Sequence, residues 1–369
     1  MLPQVEILLI AVVVAMACVL PGTFLVLRGV ALMSDAISHA ILLGIVLMFF
    51  VVKDLNSPWL ILGAAMVGLL TVTITELLIQ TRRLKKDAAI GLVFPVFFSI
   101  GVILISKFAG NVHLDTDAVL LGELAFAPFE RLLIWGVDVG PKALWTMGTI
   151  FITSFLLLVL FYKELKLATF DSALATSLGM SPLLIHYGIM GVTSVTAVGA
   201  FDAVGSILVV ALMIVPPATA YLLTHRLTQM LFWSLIFGVA SAICGYGVAH
   251  IFDTSIAGMM TTMSGVFFLV VLFFSTDKGL VWKWRLAKTQ QLEFSCQLLM
   301  VQLLSHEGTP KECEENTISN MVNHMGWTLK FANLIVQKGV QNRYLMRQGE
   351  ALFLTPLGRE RAKYTMVQN

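Results

Sequence analysis

Asp35 and His39 stand four residues apart inside Leu27 to Phe50, a stretch long enough to cross a bilayer and otherwise almost wholly apolar. On a helix, residues i and i+4 share one face. A carboxylate and an imidazole are costly in lipid, so the pair should face a bundle interior or a polar path. Both groups are common ligands of divalent metals, and a neutral imidazole is required for ligation, so acid should weaken such a site. The competing reading is a structural hydrogen bond between helices.

The elements that must position this pair follow from composition. The chain has 369 residues, 58% hydrophobic and 12% charged, against roughly 25% charged in soluble domains. Mean hydropathy is +0.88. This is a polytopic membrane protein with a more polar tail: residues 276–369 hold 12 of the 24 Lys and Arg. Cys18, Cys244, Cys296 and Cys313 form no C-x-x-C pair, which argues against a disulfide framework or zinc knuckle. The apolar N-terminal segment lacks a basic leader and cleavage site and reads as a first span.

Nine apolar segments are long enough to span, near 5–27, 30–52, 57–80, 88–107, 145–162, 183–200, 203–224, 229–250 and 255–275. Some are short enough to be re-entrant, so eight spans is the alternative. Four basic clusters follow the third, fifth, seventh and last segments: Arg82, Arg83, Lys85 and Lys86; Lys163 and Lys166; His225 and Arg226; Lys278, Lys283, Arg285 and Lys288. Nine alternating spans put all four on one side, which the positive-inside rule makes cytoplasmic. The tail is then cytoplasmic. Nine spans place the N-terminus outside, eight inside.

Three connecting stretches carry further signals. The outer loop Asn111–Lys142 is interrupted by Pro128 and Gly140-Pro141, and its apolar middle should lie on the membrane surface or the bundle. His113, Asp115 and Asp117 alternate there and would share one side of an extended segment, able to greet an incoming cation. The competing reading is a solvated acidic loop. After Tyr162, the chain has a cap candidate at Thr169 or Asp171, an amphipathic stretch, then Gly179 and Pro182, the signature of a short helix with a stop. From Gly199 to Arg226, Gly205 and Pro216-Pro217 interrupt an apolar run. Such breaks survive in lipid only where they are buried or line a cavity. No phosphate-binding G-x-x-x-x-G-K-[ST] loop is present, so ATP is not bound by a P-loop in this polypeptide.

Together, LRGVALMSDAISHAILLG (27–44), TFDSALATSLGMSP (169–182) and FDAVGSILVVALMIVPPATA (201–220) resemble the permease subunit of the metal-ion ABC importers, over about residues 1–275. Within that family the manganese/iron branch looks nearest, with zinc members similar. The resemblance implies that Asp35 and His39 are the intramembrane metal pair. It implies that Phe170, Asp171, Leu174 and Gly179 belong to the helix that couples to the ATPase, and that Gly205, Pro216 and Pro217 mark a helix break lining the pathway. It implies a transport subunit rather than an enzyme, with ATP hydrolysed in separate ATPase chains. An extracytoplasmic binding protein would deliver Mn, Fe or Zn, carried as cargo with no permanently bound cofactor. The permease would be a homodimer, or a heterodimer with a second permease, in the bacterial cytoplasmic (inner) membrane and in contact with lipid. Metal would cross by alternating access.

The tail reads as a basic, aromatic linker, 276–291, with Trp282 and Trp284 at headgroup level, followed by a small domain, 292–369. Helices over 292–304, 315–324 and 329–338, a hairpin over 343–355 turning at Gln348-Gly349-Glu350, and a helix starting at Thr355-Pro356 make a winged-helix order. It resembles the DNA-binding domain of iron- and manganese-dependent repressors. From Gln290 onward, 8 basic residues stand against 7 acidic. So weak a field favours protein contact over DNA. Cys296, His306 and Cys313 are a conceivable metal sensor, with core cysteines the alternative. The fold class expected is thus an all-α polytopic membrane protein of eight or nine transmembrane helices, followed by a small cytoplasmic winged helix-turn-helix domain. Two rival functions are an ion-coupled secondary metal carrier and a membrane-tethered metal-responsive regulator.

Overall fold

Apolar runs of this length satisfy their backbone in lipid only as helices. The computed structural model describes residues 3–53, 57, 59–108, 124–134, 137–275, 279–308 and 315–368. His113, Asp115, Asp117 and Cys313 lie outside them. The chain divides into two compact units, Met1–Gly279 and Leu280–Asn369.

The first unit contains α1 (Pro3–Leu27), α2 (Met33–Val52), α3 (Trp59–Gln80), α4 (Lys86–Phe108), α5 (Lys142–Leu160), the short α6 (Tyr162–Phe170) and α7 (Ser172–Ser177), then α8 (Pro182–Leu223), α9 (Leu227–Phe252) and α10 (Ile256–Phe274). Among the described residues, eight of these helices are long and apolar enough to cross a membrane.

The eighth helix explains why counts of eight and nine both arise. With 42 residues it would measure about 63 Å if straight, twice a hydrocarbon core of roughly 30 Å. It is not straight. Gly205 sits at φ 76°, ψ 167°, a region that essentially only glycine occupies. Gly188 and Ile189 line one cavity with Leu20, Pro21 and Phe24 of α1, and the Met213 backbone abuts Gly22 of that same turn. A straight helix would separate residues 189 and 213 by about 36 Å, so the two limbs fold back on each other at Gly205. They correspond to the apolar segments 183–200 and 203–224. Pro216 and Pro217, expected to break the chain, do not: both are buried within continuous helix. The carbonyl of Met213, whose i+4 partner is Pro217, has no N–H to accept from. Gly22, lacking a side chain, lets α1 close over it.

Close packing elsewhere follows the same rule of small residues at crossings. A Cβ on Gly44 would meet the backbone of Gly63 and Ala64, so α2 and α3 touch main chain to main chain. Four contacts gather one end of the bundle: Arg28 with His186, Glu76 with His186, Tyr162 Oη with Thr228 Oγ1 at 3.2 Å, and Ser275 Oγ donating to the Leu222 carbonyl at 2.9 Å. Arg82 and Lys163 border this end. At the other end, Arg131 grips the buried Glu6 with both guanidinium nitrogens, at 3.3 and 3.2 Å.

Arg131 belongs to an element not expected from sequence. After a 3-10 turn at Ala127–Phe129, β1 (Arg131–Ile134) and β2 (Val137–Pro141) pair antiparallel. The all-α expectation is corrected to this extent. Strands of four or five residues offer too few alternations to stand out in an apolar loop.

The second unit contains α11 (Leu280–His306), α12 (Ile318–Met325), α13 (Leu329–Gln341), β3 (Leu345–Gln348), β4 (Ala351–Leu354) and α14 (Pro356–Gln368). Leu299, Met321, Ile335, Leu345, Leu352 and Ala362 share its core. The stretch read as a linker is helical from Leu280 and runs unbroken into the first helix of the domain. Thr355 Oγ1 accepts from the Gly358 N–H at 3.0 Å, the cap expected ahead of Pro356. Gly349, at φ 66°, turns the hairpin.

Candidate functional site: a carboxylate–imidazole pair on the second helix

Asp35 and His39 lie in the first two turns of α2, about 3 and 9 Å from its start. The helix forms here because the preceding turn is tightly bonded. Gly29, at φ 65°, ends α1, with the Val30 N–H donating to the Leu25 carbonyl and the Met33 N–H to the Val30 carbonyl. Ser34 and Ser38 turn their hydroxyls back onto the carbonyls of Ala31 and Ser34, so neither competes for the pair.

His39 Nε2 sits 3.3 Å from Asp35 Oδ1, and the two side chains keep 27% and 36% of their surface. The neighbouring residues Ala36, Ile37 and Ala40 are fully buried. The pair therefore occupies the one face of this part of α2 that is partly open. Its wall is aromatic: the imidazole stacks on Phe94 of α4, centroids 5.5 Å apart at 26°, and meets Phe98 edge-on at 5.9 Å. Two rings fix the imidazole plane and leave its nitrogens for the carboxylate and a ligand. Among the described residues, no group of three or more His, Cys, Asp or Glu gathers here or elsewhere. The pair thus supplies two side chains of ligating type, where transition-metal sites commonly use three or four.

The second sequence motif forms α6 and α7. Asp171 is the cap, accepting from the Leu174 N–H at 2.9 Å; Thr169 takes another role. Gly179, at φ 81°, ends α7, with the Met180 N–H donating to the Ala175 carbonyl. Ser181 and Pro182 start α8. Phe170, Leu174 and Leu178 are left exposed together on this connection. Gly205, Pro216 and Pro217 are buried in the interior of the bundle. Asp202 is exposed near the Gly205 break. His250, stacked on Tyr246, and Asp253 line a cleft of about 410 Å³ at the Glu6 end of the bundle.

Three titratable groups that no local motif marks meet at the end of the bundle near Arg28. His186 Nε2 lies 2.9 Å from Glu76 Oε1, and its Nδ1 lies 3.2 Å from Arg28 Nη1. Arg28 Nε also donates to Thr169 Oγ1 at 3.3 Å. Burial lowers the guanidinium pKa from its ordinary value. The available signal was Glu76, the sole carboxylate inside the third apolar segment. In the second unit, Cys296 and His306 stand ten residues apart on α11, about 15 Å along one helix, so they cannot share an ion. Cys296 is buried against Gly339, and burial raises its thiol pKa.

Comparison with known proteins identifies the family. The profile of the ABC-3 family (ABC 3 transport family) matches residues 4–275. The zinc transport system membrane protein TroD of Treponema pallidum (strain Nichols) is 46% identical over 353 residues, 96% of each chain. The manganese transport system membrane protein MntD of Bacillus subtilis (strain 168) is 47% identical over 272 residues, 74% of this chain and 92% of that one. The solved structure of PsaBC from Streptococcus pneumoniae in complex with Fab superposes with a TM-score of 0.63 at 30% identity, covering 75% of this chain and 94% of that chain. The chain belongs to the ABC 3 transport family.

Proposed function

We propose that this chain is the membrane permease subunit of an ATP-driven importer of a divalent transition metal, with Asp35 and His39 as ligands to the ion in transit. The observation that carries the proposal is the carboxylate–imidazole pair held on the open face of a membrane helix, in a chain whose relatives are named for zinc and manganese transport. Two ligands leave the ion undersatisfied. A second permease, identical or homologous, related by a two-fold axis, would bring its own pair and complete four. The face beside α4, apolar yet half open, suits that partner.

Transport then runs by alternating access. The ion reaches the pair from the Glu6 end, where a binding protein would deliver it; His113, Asp115 and Asp117, in the sequence between α4 and β1, are proposed to help receive it. It sheds part of its water to the carboxylate and neutral imidazole. ATP binding and hydrolysis in partner ATPases move α6–α7, whose exposed Phe170, Leu174 and Leu178 suit a groove on another protein. The pathway reopens towards the basic loops. That end is cytoplasmic by the positive-inside rule, which also makes the second unit cytoplasmic. The break at Gly205 and the proline pair give the inner helices a non-uniform backbone beside the path. In the second unit, the order of three helices, hairpin and helix suits a winged helix. Its near-neutral charge favours protein contact over DNA, and the exposed Trp282 and Trp284 suit the lipid surface.

The test is metal accumulation in vesicles holding the permease with its ATPases. Asp35→Ala and His39→Ala each remove uptake of Mn²⁺, Zn²⁺ and Fe²⁺ while the complex still assembles. Unchanged uptake of all three ions in both variants contradicts the proposal.

A further inference from the structure

Arg28, His186 and Glu76 join three helices and the loop helix α6 in one chain of contacts. Arg28 is always a donor, so His186 Nδ1 accepts from it and the ring proton sits on Nε2, facing Glu76 Oε1 at 2.9 Å. The carboxylate of α3, the imidazole of α8 and the guanidinium at the end of α1 thus alternate in sign preference. From Arg28 the chain passes through Thr169 Oγ1 into α6.

This cluster is not a second metal site. A guanidinium 3.2 Å from the imidazole repels a cation and occupies the nitrogen that would bind one. Nor is Arg28 an ordinary membrane-edge cation reaching for lipid. Two side chains hold it, and its Nη2 is enclosed without a partner. What the cluster does join is informative. On one side is α6, adjoining the exposed apolar residues of the α6–α7 connection. On the other, Arg28 precedes the bonded turn 29–32 that opens α2, with Asp35 seven residues on.

We propose that Arg28, His186 and Glu76 are positioning residues that transmit displacement of α6 to the start of α2, and so to the Asp35–His39 pair. A shift of α6 pulls Arg28 through Thr169. The His186–Glu76 contact supplies the opposing anchor on α8 and α3, so the turn carrying α2 moves relative to the bundle rather than with it. This rests on reading α6–α7 as the ATPase-facing helices and Asp35–His39 as the metal pair.

The experiment uses the full complex in vesicles, measuring ⁵⁴Mn²⁺ uptake and ATP hydrolysis together, with Zn²⁺ uptake in parallel. Thr169→Val keeps shape and removes the acceptor; Glu76→Gln keeps shape and removes charge. Both are expected to hydrolyse ATP at near the normal rate while ions moved per ATP fall about tenfold, within the range typical of coupled sites. Mn²⁺ affinity of the purified permease stays within about twofold. Arg28→Lys, which retains the charge with a single nitrogen, recovers part of the ratio. A merely structural role lowers assembled complex and both activities in parallel, leaving the ratio unchanged. An unchanged ratio in both Thr169→Val and Glu76→Gln, or a ratio lost together with Mn²⁺ affinity, overturns the proposal. An Asp35→Ala control that still transports shows instead that the metal pair was misassigned.

Discussion

Among its described residues, the membrane unit holds two carboxylate–imidazole pairs, and they differ in the third group each meets. Asp35 and His39 share one helix at i and i+4, and Phe94 and Phe98 wall them. Glu76 and His186 come from separate helices, and Arg28 closes the imidazole's other nitrogen. Aromatic walls leave lone pairs free for a cation. A guanidinium consumes them and turns the same chemistry into a tie between helices. Residue type therefore nominates a site, and the neighbour across it decides what the site does.

The comparison breaks most readily at the first pair. His39→Ala is expected to cut metal uptake about a hundredfold or more, exceeding the loss typical when only an outer partner of a ligand is removed. His186→Ala should leave Mn²⁺ binding by the purified permease nearly intact while lowering ions moved per ATP. Equal loss of binding in both variants would erase the distinction. Phe94→Ala sharpens it: without the stacked ring the imidazole gains freedom, and metal affinity should fall about tenfold, as for other groups that orient a ligand. Titration of Mn²⁺ into the purified chain reads this directly.

Backbone predictions are smaller. Gly205→Ala places a Cβ in a glycine-only conformation and should cost about 1–3 kcal/mol, seen as a lowered melting temperature of the membrane unit with the tail unchanged. Thr355→Ala loses the capping bond from the Gly358 N–H, worth about 1 kcal/mol, together with the hydroxyl's donation to the Arg343 carbonyl, and should destabilise the second unit alone. Hydrogen exchange across 356–368 reports it.

Much of this was legible beforehand. Long apolar runs announce helices because lipid permits little else, and Asp35 with His39 stood out because charge is rare there. Asp171, Gly179 and Thr355 were readable as caps and stops because their roles are local. What escaped depends on residues distant in sequence. Arg28 and His186 are separated by 158 positions, and nothing local marks either as a partner. Pro216 and Pro217 were misread as a break for a related reason. Proline fixes only its own φ and removes its own N–H, so whether a helix continues is settled by what covers the orphaned carbonyl. Here Gly22, nearly two hundred residues earlier, covers it. The β1–β2 hairpin is short, and its hold on Glu6 through Arg131 is again a long-range contact.

The most direct test of the central claim is metal K-edge X-ray absorption on the purified permease loaded with Mn²⁺ or Zn²⁺. The account predicts imidazole scattering in the first shell of the wild type, lost in His39→Ala and retained in His186→Ala. An unchanged spectrum in His39→Ala, or loss of the imidazole signal in His186→Ala, would contradict it.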